Sequence, residues 1–252
     1  EFMKFNDYKY ERPNLEEFKI KADQILEEMK NADNAESFLV GMDEFIKNRL
    51  HVETMFTLGS IRHSIDTTDE FYDQESDYAD MNMPLFQEIV ISFYHTILGS
   101  QYKESIEKKY GKHLINLASL SVKAFRPEII EDLQAENKLT SEYSKLVASA
   151  NIMFEGEERN LSGLVPFMEN QDRAVRKAAY EAYSGFFKEH EADFDRIYDE
   201  LVHVRDKMAK KIGYDNYVQM SYDGLLRTEY GPAEVKKYRE AIEKHIVPLI
   251  VK

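Results

Sequence analysis

The chain has 252 residues, enough for one large or two small domains with a sizeable core, and its 43% apolar and 32% charged residues make an ordinary globular mixture with a charge-rich surface. Its net charge of −14, from 47 acidic and 33 basic side chains, repels phosphate backbones, so nucleic acid is not an expected partner. Cysteine is absent, which excludes disulfides and thiolate metal sites, and no apolar run approaches the ~20 residues needed to span a membrane.

Glycine (10) and proline (6) are too scarce for the frequent turns of a sheet protein, which predicts helices. Glu1-Phe2 ahead of Met3 reads as a cloning remnant, and a start at Met3 without a basic-then-apolar leader fits a cytoplasmic protein. After an extended lead-in, Asn14 is a suitable N-cap for a helix whose apolar face is Leu15, Phe18, Ala22, Ile25, Leu26 and Met29. Asn31 to Asn34 break it, and a second helix follows from Ala35 towards Ile65. The turn Asp66-Thr67-Thr68-Asp69 leads into a third helix over 70–98, where Pro84 predicts a kink or a break. Gly99-Ser100 and Gly111 punctuate a short helix; two more follow over 114–125 and 127–150, Pro127 standing at a first helical position. Residues 151–161 lack helical period and surround a glycine, so they read as a small β-hairpin. A short segment over 162–168 precedes the dominant feature, a single long helix over 173–212. Its apolar stripe runs from Val175 through Ala179, Tyr183, Phe186, His190, Phe194, Ile197, Leu201, Val204 and Met208 to Ile212 in steps of three or four, with Asp172 as N-cap and Gly213 as terminator. Unbroken, it would be roughly 60 Å long. A short helix over 214–226 and an amphipathic helix over 233–252, opened by Pro232, end the chain. That last pattern stops without a cap, which suggests a fragment.

Candidate chemistry is thin. His190-Glu191 begins like a His-Glu-x-x-His zinc motif, but the fifth position is Phe194, and zinc needs two histidines one turn apart. Asp73, Glu75 and Asp77 alternate like the first ligands of a calcium loop. The sixth position is Tyr78 instead of glycine and the twelfth is Pro84 instead of glutamate, so a solvated helix face is the better reading. Arg173 and Arg176 sit in a first turn, where the helix dipole disfavours cations; structural ion pairing explains them. No Gly-rich phosphate loop and no Gly-x-Ser-x-Gly elbow occurs. The local chemistry supplies no active site, and no catalytic, cofactor-binding or metal residue is assigned.

The order of segments resembles the M3-type oligoendopeptidases, the oligoendopeptidase F group, in its N-terminal part. The resemblance rests on Asp66-Thr67-Thr68-Asp69-Glu70-Phe71-Tyr72, on the run from Glu131 to Leu139 with Ser141-Glu142-Tyr143, and on the run from Phe154 to Leu161. Asp172 to Ala179, Ala209 to Tyr217 and Ile246-Val247-Pro248-Leu249 follow in the same order, so nearly the whole chain is covered. The resemblance implies a predominantly helical, two-lobed zinc peptidase that hydrolyses short peptides in a channel between its lobes. It implies a zinc held by a His-Glu-x-x-His motif and a downstream glutamate, none of which has a matching position here. The chain is then organised as remnant (1–2), N-terminal helical region (3–150), and hairpin, long spine helix and following helices (151–252), ending before the catalytic region. On this reading the piece alone is inactive and without a cofactor, and its partners are the missing C-terminal half and short peptides, with no membrane involved. The alternative is an all-helical binding or scaffold domain that never had a catalytic half.

Overall fold

The computed structural model describes residues 4–250, so the expected remnant at 1–2 and the final two residues of the last helix lie outside it. It is 79% helical, with one two-stranded antiparallel sheet. The N-terminal body is built from α1 (Leu15–Lys30), α2 (Ala35–Ile65) and α3 (Glu70–Gly99), whose caps are the asparagines and aspartates that the sequence offers. Asn14 accepts from the Glu17 N–H, Asn34 from Ser37, and Asp69 from both Phe71 and Tyr72. In the Asp66–Asp69 turn, Asp66 accepts from the Thr68 backbone and hydroxyl, so both ends of the connection are tied. Phe18, Met42, Phe45, Phe93 and Ile97 form the centre of the core, with the Phe45 and Phe93 rings stacked 4.0 Å apart. Helices α1 and α2 approach so closely that a Cβ on Gly41 would lie 2.5 Å from Met29 Cγ. Helices α4 (Lys103–Tyr110) and α5 (Lys112–Ala124) close this body.

Pro84 does not break α3, which runs unbroken from Glu70 to Gly99. Proline has no N–H, so the Asp80 carbonyl one turn back loses its helical partner, and buried carbonyls need one. The replacement comes from α6 (Ile130–Ala148), entered through a 3₁₀ turn over Pro127–Ile129. Asn137 donates to the Asp80 carbonyl (3.0 Å) and Gln134 to the Met81 carbonyl (2.7 Å).

Strands β1 (Ile152–Phe154) and β2 (Glu157–Arg159) form the expected hairpin, in register Ile152↔Arg159, Met153↔Glu158 and Phe154↔Glu157. Both turn residues have positive φ, Glu155 at 53° and Gly156 at 80°, the backbone that a two-residue hairpin turn requires. The hairpin packs with α7 (Leu161–Met168) on α8 (Arg173–Glu189) through Phe154, Leu164 and Ala179.

The expected single helix over 173–212 is two helices, α8 and α9 (Glu191–Lys211), separated at His190. His190 leaves helical geometry (φ −101°, ψ 18°), and its carbonyl accepts from both Asp193 and Phe194. The apolar stripe is real but serves two different neighbours. Its first half faces the hairpin and α7, whereas its second half faces α6, and the bend lets each half reach its own partner. The lengths become about 25 and 30 Å instead of 60. Gly213 (φ 92°) ends α9, and Asn216 caps α10 (Tyr217–Gly224), shorter than the expected 214–226. The last helix also stops early: α11 (Pro232–His245) is followed at Ile246 by a separate turn, α12 (Val247–Ile250).

If α6 replaces the bond that Pro84 removes, Asn137→Ala should cost about 1 kcal/mol of stability, the penalty for a half-buried carbonyl left without a partner. In a Pro84→Ala background the helical bond can re-form, so the same substitution should cost less. A double-mutant cycle in urea measures the difference, and strict additivity would contradict it.

Candidate functional site

Helix α6 is clamped from its other side by α9. Asp132, only 3% exposed, takes Lys207 at 2.7 Å and Lys211. Glu136 takes Arg205 at 2.6 Å, and Glu142 takes Arg196. Beside them Asp223 of α10 is buried among Lys123 (2.6 Å), the Tyr214 hydroxyl (2.7 Å) and Gln219 (3.1 Å), which fixes α10 to α5. Burial alone would raise both aspartates, but the Lys207 and Lys211 hydrogen bonds at Asp132, and those of Lys123 and Tyr214 at Asp223, outweigh it. Both carboxyls are held below their ordinary range. The sequence reading missed these acids, since a lone aspartate in a helix carries no signal of its lysines 75 or more residues away.

Beyond this clamp the chain presents an open face. No side chain of α11 is buried, and Tyr238 (67% exposed), Leu249 (66%) and Ile250 (77%) continue one apolar stripe with Ile246. An isolated amphipathic helix of this length is marginal in water, and an exposed apolar patch of this kind marks an interaction surface.

The residues singled out in the sequence go elsewhere. The His190 ring lies against Phe186 (centroids 4.7 Å) with Nδ1 3.6 Å from Asp193, in an aromatic cluster with Phe187 and Phe194. Arg176 donates to the backbone carbonyls of Asn170 and Gln171, so its partners are carbonyls and not the expected carboxylates. Along α3, Glu75 turns away from Asp73 and Asp77, which share Lys145. Glu75 is buried and not solvated: it binds the Tyr10 hydroxyl (2.5 Å) and the Arg12 guanidinium, anchoring the N-terminal arm. Asp73 meets Lys145 (2.6 Å) and His63 (3.3 Å), while Asp77 meets Lys145 at 3.6 Å. Among the described residues no three His, Asp or Glu side chains converge so that they could hold a metal ion. The donor set present does not fit a zinc centre, and no step through one is assigned to this chain.

Residues 5–125 match the family described as Peptidase M3 N-terminal domain, and residues 166–252 match Peptidase family M3. The fold agrees with solved structures of the same kind over almost its full length. A structure titled PZ peptidase A with inhibitor 2 is 48% identical, with a TM-score of 0.95 over 97% of this chain. An oligoendopeptidase F from Bacillus anthracis str. Ames is 45% identical, with a TM-score of 0.95 over 98%. A further oligoendopeptidase F, solved from crystals grown by microfluidic seeding, is 44% identical, with a TM-score of 0.96 over 98%. The chain belongs to the M3 peptidase family. It spans only 44%, 46% and 44% of the lengths of these three chains. No match is found among curated proteins. Two of the runs on which the sequence resemblance rests are joints of the fold: 66–72 is the capped α2–α3 turn, and Gln134, Asn137 and Asp132 lie in the run 131–139 that fastens α6 on both sides.

Both Asp132 and Asp223 have folded pKa values below their unfolded ones, near 4. Such groups add stability that is complete above the unfolded value and lost as pH falls through the folded one. Asp132→Asn should therefore cost about 2 kcal/mol at pH 7, and the gap to the parent chain should narrow between about pH 5 and pH 2. Urea unfolding across that range measures it; a gap independent of pH would contradict the clamp.

Proposed function

We propose that this chain is the N-terminal, non-catalytic lobe of a zinc-dependent oligopeptidase that hydrolyses short peptides, forming one wall of a channel between two lobes. The observation that carries this reading is the match of nearly the whole chain to less than half of each solved M3 relative. In this reading the regions 3–150 and 151–252 together make the lobe, and the apolar stripe of α11 and α12 docks onto the catalytic half. Zinc, its ligands and the general base belong to that other half, so this chain supplies shape and substrate contact and no proton or metal step. A cytoplasmic location is part of the same reading.

Complementation tests it. This chain is co-expressed with the remaining part of the PZ peptidase A chain, and cleavage of a short fluorogenic peptide is followed with zinc supplied. Each piece alone should be inactive and the pair active, with Tyr238→Glu/Leu249→Glu abolishing the gain. Cleavage by this chain alone would contradict the lobe reading. Failure of the pair to form a complex by native mass spectrometry would favour the helical scaffold alternative.

A further inference from the structure

Helices α2 and α6 both pack on α3 and leave a groove of about 630 Å³ between them, a volume typical of small-ligand sites. Its floor includes Ala79 and Asp80, small and polar residues that keep the groove open. The lining is rich in acceptors. Thr57, Ser64 and Ser144 each donate their hydroxyl proton to a carbonyl of their own helix, so they turn only lone pairs to the groove. The Asn137 amide gives one of its two N–H bonds to the Asp80 carbonyl, and its side-chain oxygen adds a further acceptor. On the floor, Asp80 makes no ion pair among the described residues, unlike Glu75, Asp132 and Asp223; Ser141, Lys145 and His63 favour its charged form from nearby, and Asp77 opposes it. The neighbouring cation, Lys145, is committed to Asp73 and Asp77. At one end His63, 8% exposed, has an Nε2 without a well-aligned hydrogen bond.

A half-buried carboxylate facing an acceptor-lined groove lacks a donor-bearing cation. We propose that this groove binds an alkylammonium group, with the Asp80 carboxylate as counter-ion, the hydroxyl lone pairs accepting its N–H bonds, and Phe56, Ile61 and Met83 covering the alkyl stem. Burial pushes the Asp80 carboxyl above its ordinary range against the opposing Ser141 bond, which is the state a bound cation would relieve. The site lies within this chain and does not depend on the peptidase-lobe reading.

Such a group comes from a free polyamine or from a lysine side chain, so the test has two arms: titration of the 252-residue chain with spermidine and with Nα-acetyl-lysine amide, read by amide chemical shifts. The neutral Nα-acetyl-norleucine amide is the control. Saturable shifts confined to the α2, α3 and α6 residues of the groove are expected with at least one cation and not with the control. Tighter binding of spermidine identifies the free amine, and tighter binding of the lysine derivative identifies the side chain; both support the site. Asp80→Asn should weaken binding roughly tenfold or more, the loss of one charge-assisted partner. Asp195→Asn removes the same charge from an exposed position of α9 and should leave binding unchanged. Equal losses in the two variants would show attraction to the general negative charge and overturn the proposal, as would the absence of saturable shifts with both cations.

Discussion

Helix α6 carries polar side chains on two opposite faces, one set against α3 and the other against α9. Gln134, Asn137, Ser141 and Lys145 recur at helical spacing and meet α3, two of them supplying hydrogen bonds to carbonyls around Pro84. Asp132 and Glu136 point the other way and hold the cations of α9. A helix buried between partners ordinarily presents apolar faces. Here directional bonds are added to the apolar contacts of Ile130, Leu133 and Val147, at the cost of needing every polar partner in place.

The consequence is that the N-terminal body and the α9–α10 unit are joined through α6 and, beside it, through the Lys123–Asp223 contact of α5 with α10. Removing both lysines opposite Asp132 leaves a buried charge, and removing Asn137 leaves a half-buried carbonyl without its partner; both penalties fall on the same joint. Beyond the joint the apolar stripe of α11 and α12 is held out without a buried side chain of its own. A firmly clamped body with an unpartnered apolar edge fits a chain that superposes on less than half of each solved relative.

Much of this was legible in the sequence, for physical reasons that differ between elements. Caps at Asn14, Asp69 and Asp172 are local chemistry, written within three residues of the bonds they make, and the hairpin around Gly156 is equally local. Periodicity located the stripe from Val175 to Ile212 but could not show that its halves face different neighbours, so the bend at His190 went unread. At Pro84, where a kink or a break was expected, the helix does not break, because the freed carbonyl finds a substitute more than fifty residues away in α6. Glu75 looked like a solvated acid because nothing near it in sequence announces Tyr10 and Arg12. Order and spacing of segments carried the family resemblance, whereas Asp80 and its groove left no linear trace.

The claim that the polar joint at α6 couples the two parts into one unit is tested most directly by native-state hydrogen exchange of the 252-residue chain in increasing urea. The account predicts that the slowest amides of α3 and α9 exchange through the same opening, with equal free energy and equal urea dependence. Substituting Gln134 and Asn137 together by leucine should split them into two openings. Independent openings of α3 and α9 in the unsubstituted chain, with α9 released at markedly lower free energy, would contradict it.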